Sequence, residues 1–166
     1  MRIPDPEAPI VDRAPVPRLW VLDTNVILDW LVFDDPVVAP LVRHVESGAA
    51  TLLTRADCRT EFERVLAYPR FRRFPERLAT ALARYDRWHV PCPDAAGAPG
   101  DHPVALPQCG DPDDQKFIEL ARDGAAGWLV SKDKEVLRLG RRLAALLGLE
   151  VLTPKAAAAR LAAPTI

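Results

Sequence analysis

The chain has 166 residues, of which 49% are hydrophobic and 27% are charged, values typical of one globular domain. This composition excludes a disordered, collagen-like or coiled-coil chain. The formal net charge of -1 excludes attraction of the whole molecule to nucleic acid or anionic lipid, so a polyanionic partner would have to meet a local basic patch.

The N-terminal segment differs from the rest of the chain. Residues 1–17 contain five prolines, which fix φ and remove amide donors. We therefore expect an extended arm over 1–17 and a single domain over 18–166. The arm lacks the apolar centre of a signal peptide, and no apolar run is long enough to cross a bilayer. We expect neither export nor a membrane span.

Short apolar runs alternate with helical stretches along the rest of the chain, which predicts an α/β fold with a parallel sheet covered on both faces. The 91–110 loop is long for a compact domain, which favours a mobile flap. The first predicted elements, in chain order, are a strand at 18–22, helical pieces at 26–32 and 34–47, a strand at 51–53, and a helix capped by Thr54 and ending near Ala67. A helix at 75–88, a strand at 89–90 and the 91–110 loop follow. The last elements are a helix opened by 111–114, a strand at 128–130, a basic helical stretch at 134–147 interrupted near Gly140, a strand at 151–152 and a helix after Pro154.

The helix that follows Thr54 carries an acid at the edge of its apolar face. On a helical wheel Cys58 and Phe62 share one face, and Glu61 falls at its border. This position predicts a half-buried carboxylate. Taken alone, Glu61 equally fits a surface acid that pairs with Arg64 one turn later.

Other acids recur where predicted strands end. Asp23 follows the first strand, Asp133 follows the strand at 128–130, and Asp114 lies in the first turn of the helix before that strand. Because the carboxyl ends of parallel strands meet at one edge of the sheet, we expect these acids to converge there with Glu61. Close carboxylates repel one another unless a cation neutralises them, and all-oxygen ligands select Mg²⁺ or Mn²⁺. Phosphodiester hydrolysis suits such a site best.

Each of these acids also has a simpler interpretation. Asp23 and Asp133 are placed to cap the helices that follow them, and Asp111, Asp113 and Asp114 suit the N-terminus of a helix. Capping and metal binding are compatible because one carboxylate has two oxygens. The individual positions therefore leave both interpretations open.

Four blocks of the sequence resemble, in order, the PIN domain family. More narrowly, they are similar to the branch described as toxins of toxin–antitoxin systems. The blocks cover most of residues 19–153. They are Val21-Leu-Asp-Thr-Asn-Val-Ile-Leu, the stretch 54–66 with its acid at Glu61, Asp111-Pro-Asp-Asp-Gln-Lys-Phe-Ile-Glu-Leu-Ala, and Leu129-Val-Ser-Lys-Asp-Lys-Glu-Val-Leu.

The resemblance implies a three-layer α/β/α sandwich with a central, mainly parallel sheet, and a Mg²⁺- or Mn²⁺-dependent endoribonuclease. It also implies a small antitoxin partner and makes a homodimer reasonable. By position, it assigns the catalytic and metal-binding roles to Asp23, Glu61, Asp114 and Asp133, with Asp111 able to replace or assist Asp114, and supporting roles to Asn25 and Ser131. One departure is Gly110, where this branch often has an arginine.

A basic patch for RNA is predicted between 68 and 88. Its proline-bounded turn holds Arg70, Arg72 and Arg73 as candidate phosphate contacts, and Lys132 belongs to a second basic cluster. The neighbouring aromatic residues would stack on unpaired bases, which favours single-stranded RNA. The alternative places the arginines in solvent and the rings in the core. The aromatic residues are Phe71, Phe74 and Trp88.

Other functional classes have little support. The histidines His44, His89 and His102 are expected at the surface or in loops, and the three cysteines argue against a disulfide framework and favour reduced thiols in the cytoplasm. A metal site of Cys92, His102 and Cys109 fits zinc spacing poorly. Two alternatives to the nuclease remain: a catalytically inactive RNA-binding or regulatory module, and a Mg²⁺-dependent phosphohydrolase, which lacks its usual Asp-x-Asp pattern here.

Overall fold

The computed structural model describes residues 15–92 and 104–162. Its centre is a five-stranded sheet in which each strand is parallel to its neighbours. The parallel sheet expected from the sequence is confirmed. Most of the predicted arm, the middle of the predicted flap and His102 lie outside the described residues. The strands, in the spatial order β3-β2-β1-β4-β5, are β1 (Leu19–Leu22), β2 (Thr51–Thr54), β3 (His89–Pro91), β4 (Trp128–Val130) and β5 (Glu150–Leu152).

Eight α-helices accompany the sheet in the part of the chain that the structure describes. None of them is long and apolar enough to cross a membrane. α1 continues as a π-helical segment, Asp29–Phe33, and 3₁₀ turns precede α2, α4 and α5 at Pro36–Val38, Pro69–Phe71 and Pro112–Asp114. The helices are α1 (Thr24–Leu28), α2 (Ala39–Glu46), α3 (Ala56–Leu66), α4 (Pro75–Trp88), α5 (Gln115–Asp123), α6 (Lys134–Arg138), α7 (Gly140–Leu147) and α8 (Pro154–Ala162).

The sheet separates two hydrophobic clusters. Successive residues of a strand point to opposite faces, so Trp20 and Leu22 of β1 join one cluster and Val21 joins the other. Side chains of α1, α2, α4 and α8 fill the first cluster, and those of α5, α6 and α7 fill the second. The predicted three-layer α/β/α sandwich is therefore confirmed.

Helices α3 and α4 form a hairpin that is attached to the end of β2. Phe62 of α3 stacks on Tyr85 of α4 with 4.9 Å between ring centroids, and the Tyr85 hydroxyl lies 2.5 Å from Oγ1 of Thr54. The prediction that Thr54 caps α3 was wrong: Thr54 is the last residue of β2, and α3 begins at Ala56 after Arg55, whose side chain makes no capping bond.

His89 is a second correction. It begins β3 and is 5% exposed, not at the surface. Its ring stacks on Tyr85 at 3.9 Å, and Nδ1 lies 2.9 Å from the Tyr85 carbonyl oxygen. Nε2 has no hydrogen-bond partner among the described residues. Burial lowers the pKa of His89 to about 4, so the imidazole is neutral at physiological pH.

Candidate active site

The acids predicted from the sequence lie where the strand order reverses. The chain moves outward from β1 to β2 and β3, and then returns to the other side of β1 for β4 and β5. Ligands of open α/β sheets bind at this kind of switch point, outside the carboxyl ends of the strands. Asp23 directly follows β1, and Ser131 directly follows β4. The backbone N–H of Asp23 donates to the carbonyl of Val130 at 3.1 Å, which joins the two strand ends.

Asp23 is held by three donors. One carboxylate oxygen accepts from the backbone N–H of Val26 at 2.9 Å and so caps α1. The other accepts from the Ser131 hydroxyl at 2.5 Å and from the backbone N–H of Lys132 at 3.3 Å. Asp23 is 3% exposed, and this burial raises the pKa of its carboxyl although the hydrogen bonds oppose the shift. The capping interpretation of Asp23 is correct, and the same side chain also faces the site.

Ser131 links two of the predicted acids. It is fully buried, donates to Asp23, and accepts from the backbone N–H of Asp133 at 3.0 Å. Asp133 in turn caps α6, because its carboxylate accepts from the backbone N–H groups of Glu135 at 2.7 Å and Val136 at 3.4 Å. Ser131 thus lies between Asp23 and Asp133, and its supporting role in the site stays a prediction.

Glu61 reaches the site from α3, half-buried as its wheel position predicted. Its Oε1 accepts from the Thr24 hydroxyl at 2.6 Å, and its Oε2 forms an ion pair with Nζ of Lys116. Among the described residues it makes no ion pair with Arg64. Sequence reasoning missed Thr24 and Lys116 as partners, although they stand next to Asp23 and two residues after Asp114.

Asp114 lies within electrostatic reach of the other predicted acids. It ends the 3₁₀ turn before α5 and is half-buried. The pKa of Asp114 is raised from 3.8 to about 7, first by burial and then by the surrounding negative charges. A carboxylate shifts its neighbour in this way only when the two lie close together. The contributing acids, in decreasing order, are Asp133, Asp111, Asp23 and Glu61.

The turn around Asp114 has further acids with structural roles. Asp111 is exposed and accepts from the backbone N–H of Asp113 at 2.9 Å, so it caps the turn while its charge acts on Asp114. At Gly110 an added Cβ would lie 2.3 Å from a carboxylate oxygen of Glu135. The space beside Gly110 is thus occupied by the flexible end of the Glu135 side chain.

Comparison with known families identifies the domain. Residues 20–135 match the family model described as a PIN domain. The chain belongs to the PIN domain family. The matched segment includes Asp23, Glu61, Asp114 and Asp133, and the resemblance of the sequence to the PIN domain family is confirmed. PIN domains are generally nucleases, hydrolases that act on nucleic acid. No curated protein gave a significant match to the chain.

The donor chemistry of this PIN site fits a hard divalent cation, the kind of metal that PIN nucleases generally use. The candidate ligands are carboxylates, and their repulsion contributes to the raised pKa of Asp114. Among the described residues, no group of three or more His, Cys, Asp or Glu side chains is arranged to coordinate a metal ion. The oxygens of Asp23 and Glu61 contact protein donors instead. The residues that would hold an ion are Asp23, Glu61, Asp114 and Asp133.

A buried thiol borders these carboxylates. Burial raises the pKa of Cys109, and the charges of Asp114 and Asp133 raise it further. The thiol therefore stays protonated at neutral pH and is a poor metal ligand. This agrees with the oxygen-only site expected for the PIN domain.

Two predicted residues have surroundings that differ from the expectation. Asn25 is exposed, and its side chain makes no hydrogen bond within the described ranges, whereas the hydroxyl of the neighbouring Thr24 donates to Glu61. Nζ of Lys132 lies 2.6 Å from the buried carboxylate of Asp29. Lys132, predicted to contact RNA, is therefore paired with Asp29, an acid that sequence reasoning missed. The available signal was that Asp29 is the single acid within the apolar 26–32 stretch.

The arginine turn joins α3 and α4 of the PIN domain. Arg70, Arg72 and Arg73 are exposed and form no ion pair in the part of the chain that the structure describes. The guanidinium of Arg70 lies 4.7 Å from the centroid of the Phe71 ring and 5.7 Å from that of Tyr68. These three positive charges are available to phosphate.

The aromatic rings beside these arginines belong to the core. Phe71 is 2% exposed, so the expectation that it stacks on bases was wrong. Phe74 packs against Phe33, and Trp88 packs against Trp30. The alternative interpretation, with the rings in the core, is correct for Phe71 and largely so for the other two. The exposed ring of this turn is Tyr68, at 41%.

Proposed function

We propose that this PIN domain is a metal-dependent endoribonuclease that hydrolyses phosphodiester bonds in single-stranded RNA in the cytoplasm. The observation that carries the proposal is that Asp23 and Asp133 share the buried Ser131 hydroxyl at the end of the sheet, where their charges also help to raise the pKa of Asp114 to about 7. A protein maintains such repulsion at a functional site more often than elsewhere. The PIN family membership supplies the reaction class.

The carboxylates are positioned before any ligand arrives. Asp23 is fixed by Val26, Ser131 and Lys132, and Glu61 is fixed by Thr24. Ligands held by surrounding hydrogen bonds keep their orientation, which favours binding and catalysis. When bound, Mg²⁺ or Mn²⁺ supplies Lewis-acid polarisation of a water and of the phosphate oxygens. The protein's own contribution is to bring Asp23, Asp114 and Asp133 to one edge of the sheet.

The exposed arginines support an RNA substrate. Arg70, Arg72 and Arg73 form a compact positive surface on a molecule whose net charge is -1. Phosphate contacts of this kind bind nucleic acid without reading its sequence. Tyr68 adds an exposed ring on which one unpaired base can stack. We assign these residues to substrate binding and not to the chemical step.

The biological setting that we propose is that of a toxin controlled by a small antitoxin protein, with the toxin acting as a homodimer. The support is the resemblance of the four sequence blocks to the toxin branch of the PIN family. Expression of the wild-type chain in a bacterium should then arrest growth, and Asp23→Asn should relieve the arrest. Equal growth of both strains at equal expression would contradict the toxin assignment.

A specific observation favours a second candidate, a catalytically inactive RNA-binding PIN module. Glu61 is paired with Lys116, and no three acids of the described residues form a metal group as placed. If this arrangement persists in the presence of metal, the arginine turn would bind RNA without cleaving it. The same assay distinguishes the two candidates.

The experiment measures cleavage of a labelled single-stranded RNA with Mn²⁺ or Mg²⁺ and with a chelator. Wild type should cleave only with metal, and Asp23→Asn and Asp114→Asn should each lose at least about 100-fold in rate. Asp113→Asn is the matched control, because it removes an exposed acid of the same turn and should keep activity. A phosphate monoester tests the phosphohydrolase alternative. RNA binding without cleavage by wild type would favour the inactive module, and activity that survives chelation would refute the metal-dependent nuclease.

A further inference from the structure

Lys116 is the one cation that pairs with the four predicted ligands among the described residues. It lies in the first turn of α5, and its Nζ contacts Oε2 of Glu61 and the carbonyl oxygen of Asp113. The side chains of Lys116 and Glu61 are only 16% and 14% exposed. Partial burial makes this ion pair stronger than a fully solvated one.

The two oxygens of Glu61 are both occupied. The Thr24 hydroxyl donates to Oε1, and Lys116 is paired with Oε2. A neutral hydroxyl can stay hydrogen-bonded to a carboxylate that also binds a metal. It is costly for an ammonium group and a divalent cation to contact the same oxygen, because their positive charges repel each other at that distance.

We propose that Lys116 is a built-in competitor of the metal. Its ammonium group holds Glu61 in the metal-free PIN domain, and a divalent ion reaches Glu61 only when the ammonium group leaves. Lys116 therefore lowers the metal affinity of the site and reduces the repulsion among the carboxylates when no metal is bound. The inference rests on the proposed function in one respect, since it takes Glu61 as a metal ligand.

The same geometry explains how Lys116 can leave. The ammonium group also contacts the Asp113 carbonyl, in the turn before α5, and the Phe117 ring of α5, whose centroid lies 5.2 Å from Nζ. These contacts do not depend on Glu61, so the side chain keeps neighbours when the ion pair opens. A long flexible lysine side chain is suited to such a movement.

The test is Mn²⁺ titration of the metal-free full chain by calorimetry and by electron paramagnetic resonance. Lys116→Met keeps the apolar stem and removes the charge, and it should bind Mn²⁺ about tenfold more tightly than wild type. Lys132→Met is the matched control for a nearby charge, since the Lys132 side chain forms its ion pair with Asp29 and Lys132 contacts Asp23 only through its backbone amide. We expect its Kd to change by about threefold or less, the effect of one nearby charge in water.

A double-mutant cycle locates the effect at Glu61. In a Glu61→Gln background the carboxylate for which both cations compete is absent, so adding Lys116→Met should change the Mn²⁺ affinity little. Lys116→Gln serves as a second neutral variant if the methionine protein does not fold, as judged by circular dichroism. Metal-free Lys116→Met should also melt at a lower temperature than wild type, and Mn²⁺ should raise its melting temperature by more than that of wild type.

Four outcomes would overturn the inference. Equal Kd values for wild type and both neutral Lys116 variants would show that Lys116 does not compete. If Lys116→Met and Lys132→Met raised the Mn²⁺ affinity equally, the effect would be that of charge in general. The same would follow if Lys116→Met raised the Mn²⁺ affinity as much in the Glu61→Gln background as in wild type. If wild type binds Mn²⁺ in these cases, the proposed nuclease still stands, whereas absence of Mn²⁺ binding by every protein would refute both proposals.

Discussion

Asp23 combines a structural and a functional position in one side chain. One oxygen caps α1, and the other receives the hydroxyl of Ser131 and the amide of Lys132. Ser131 also receives the amide of Asp133. Two residues that are 110 positions apart in the chain are therefore connected through one buried hydroxyl. Such a bridge keeps the carboxylates at a constant separation while either of them binds a ligand.

Removing this hydroxyl should destabilise the protein. Ser131→Ala removes the shorter of the two hydrogen bonds to one oxygen of Asp23 and the acceptor of the Asp133 amide, and we expect a loss of about 1–3 kcal/mol in the free energy of unfolding. Urea denaturation measures the change. Ser47→Ala is the control: its hydroxyl donates to the His44 carbonyl at an exposed site, so the loss should stay within about 0.5 kcal/mol. Equal effects of the two substitutions would contradict the bridging role of Ser131.

Asp114 should make the metal-free protein less stable at higher pH. Its pKa of about 7 in the folded state exceeds the ordinary value of 3.8, so the folded state holds the proton more tightly and loses stability as the pH rises through this interval. Asp114→Asn should therefore stabilise the chelated protein at pH 8, by about 2 kcal/mol once solvent screening is allowed for. The gain should shrink at pH 5. Urea denaturation at both pH values tests this, with Asp113→Asn expected to match wild type.

At the scale of elements, the junction of α4 and β3 holds the α3–α4 hairpin in place. Tyr85 contacts Phe62 of α3, Thr54 of β2 and His89 of β3. Because α3 carries Glu61, these contacts also fix the distance between Glu61 and the end of β1. The buried, neutral His89 is the acid-sensitive member of this cluster.

The junction should weaken in acid. Burial lowers the pKa of His89 to about 4 from 6.5, so its contribution to stability is complete above about pH 6.5 and is lost as the pH falls toward 4. The loss amounts to about 3 kcal/mol. His89→Phe should remove it, and the difference in unfolding free energy between this variant and wild type should change across that interval. His44→Phe should retain the acid sensitivity of wild type, and parallel pH curves for wild type and His89→Phe would refute the assignment.

The turn between α3 and α4 should govern the salt dependence of RNA binding. Removal of two phosphate contacts by Arg72→Ala with Arg73→Ala should reduce the slope of log K against log salt by about 1.4 for a single strand. Binding is measured with Asp23→Asn as the parent protein, so that the RNA remains intact. The control removes the two exposed charges of α7, Arg141→Ala with Arg142→Ala. An unchanged slope for the first pair would move the RNA surface elsewhere.

At the scale of the whole molecule, the strand order decides where charge accumulates. β1 lies in the middle of the sheet, and the return of the chain to β4 brings Asp133 to the strand end that carries Asp23, where the charges of both act on Asp114. The molecule is nearly neutral overall, with a net charge of -1. The carboxylates nevertheless form a local excess of negative charge, which destabilises the folded state until a cation neutralises it.

A divalent ion should therefore raise the melting temperature. Mn²⁺ at 100 times its Kd stabilises a protein that binds it only when folded by about 2.7 kcal/mol. For a chain of this length this corresponds to a rise of about 5–10 °C, measurable by differential scanning calorimetry. Asp23→Asn, which keeps a capping oxygen but loses the charge, should show a much smaller rise. The same increase in both proteins would place the ion elsewhere.

The order and type of the elements were predictable because they depend on neighbours along the chain. The apolar runs at 18–22 and 128–130 could be buried only as strands, and the apolar face of 56–66 placed Glu61 at its edge. Residues at the ends of elements were less predictable. Thr54 has the chemistry of a cap, but strand pairing and the Tyr85 hydroxyl retained it in β2. His89 is polar, yet the position of β3 in the sheet buried it.

The sequence by itself determined which carboxylates follow the strands, since strand, turn and helix periodicity are local properties of the chain. Only the tertiary structure decided their partners: Thr24 and Lys116 for Glu61, Ser131 for Asp23 and Asp29 for Lys132. Thr24 and Glu61 are 37 residues apart in the chain, and Asp23 and Ser131 are 108 residues apart. No local sequence pattern encodes such pairs. They form because the reversal of strand order brings distant strand ends together. A charge that is buried there is stable only when a nearby donor or opposite charge pairs with it.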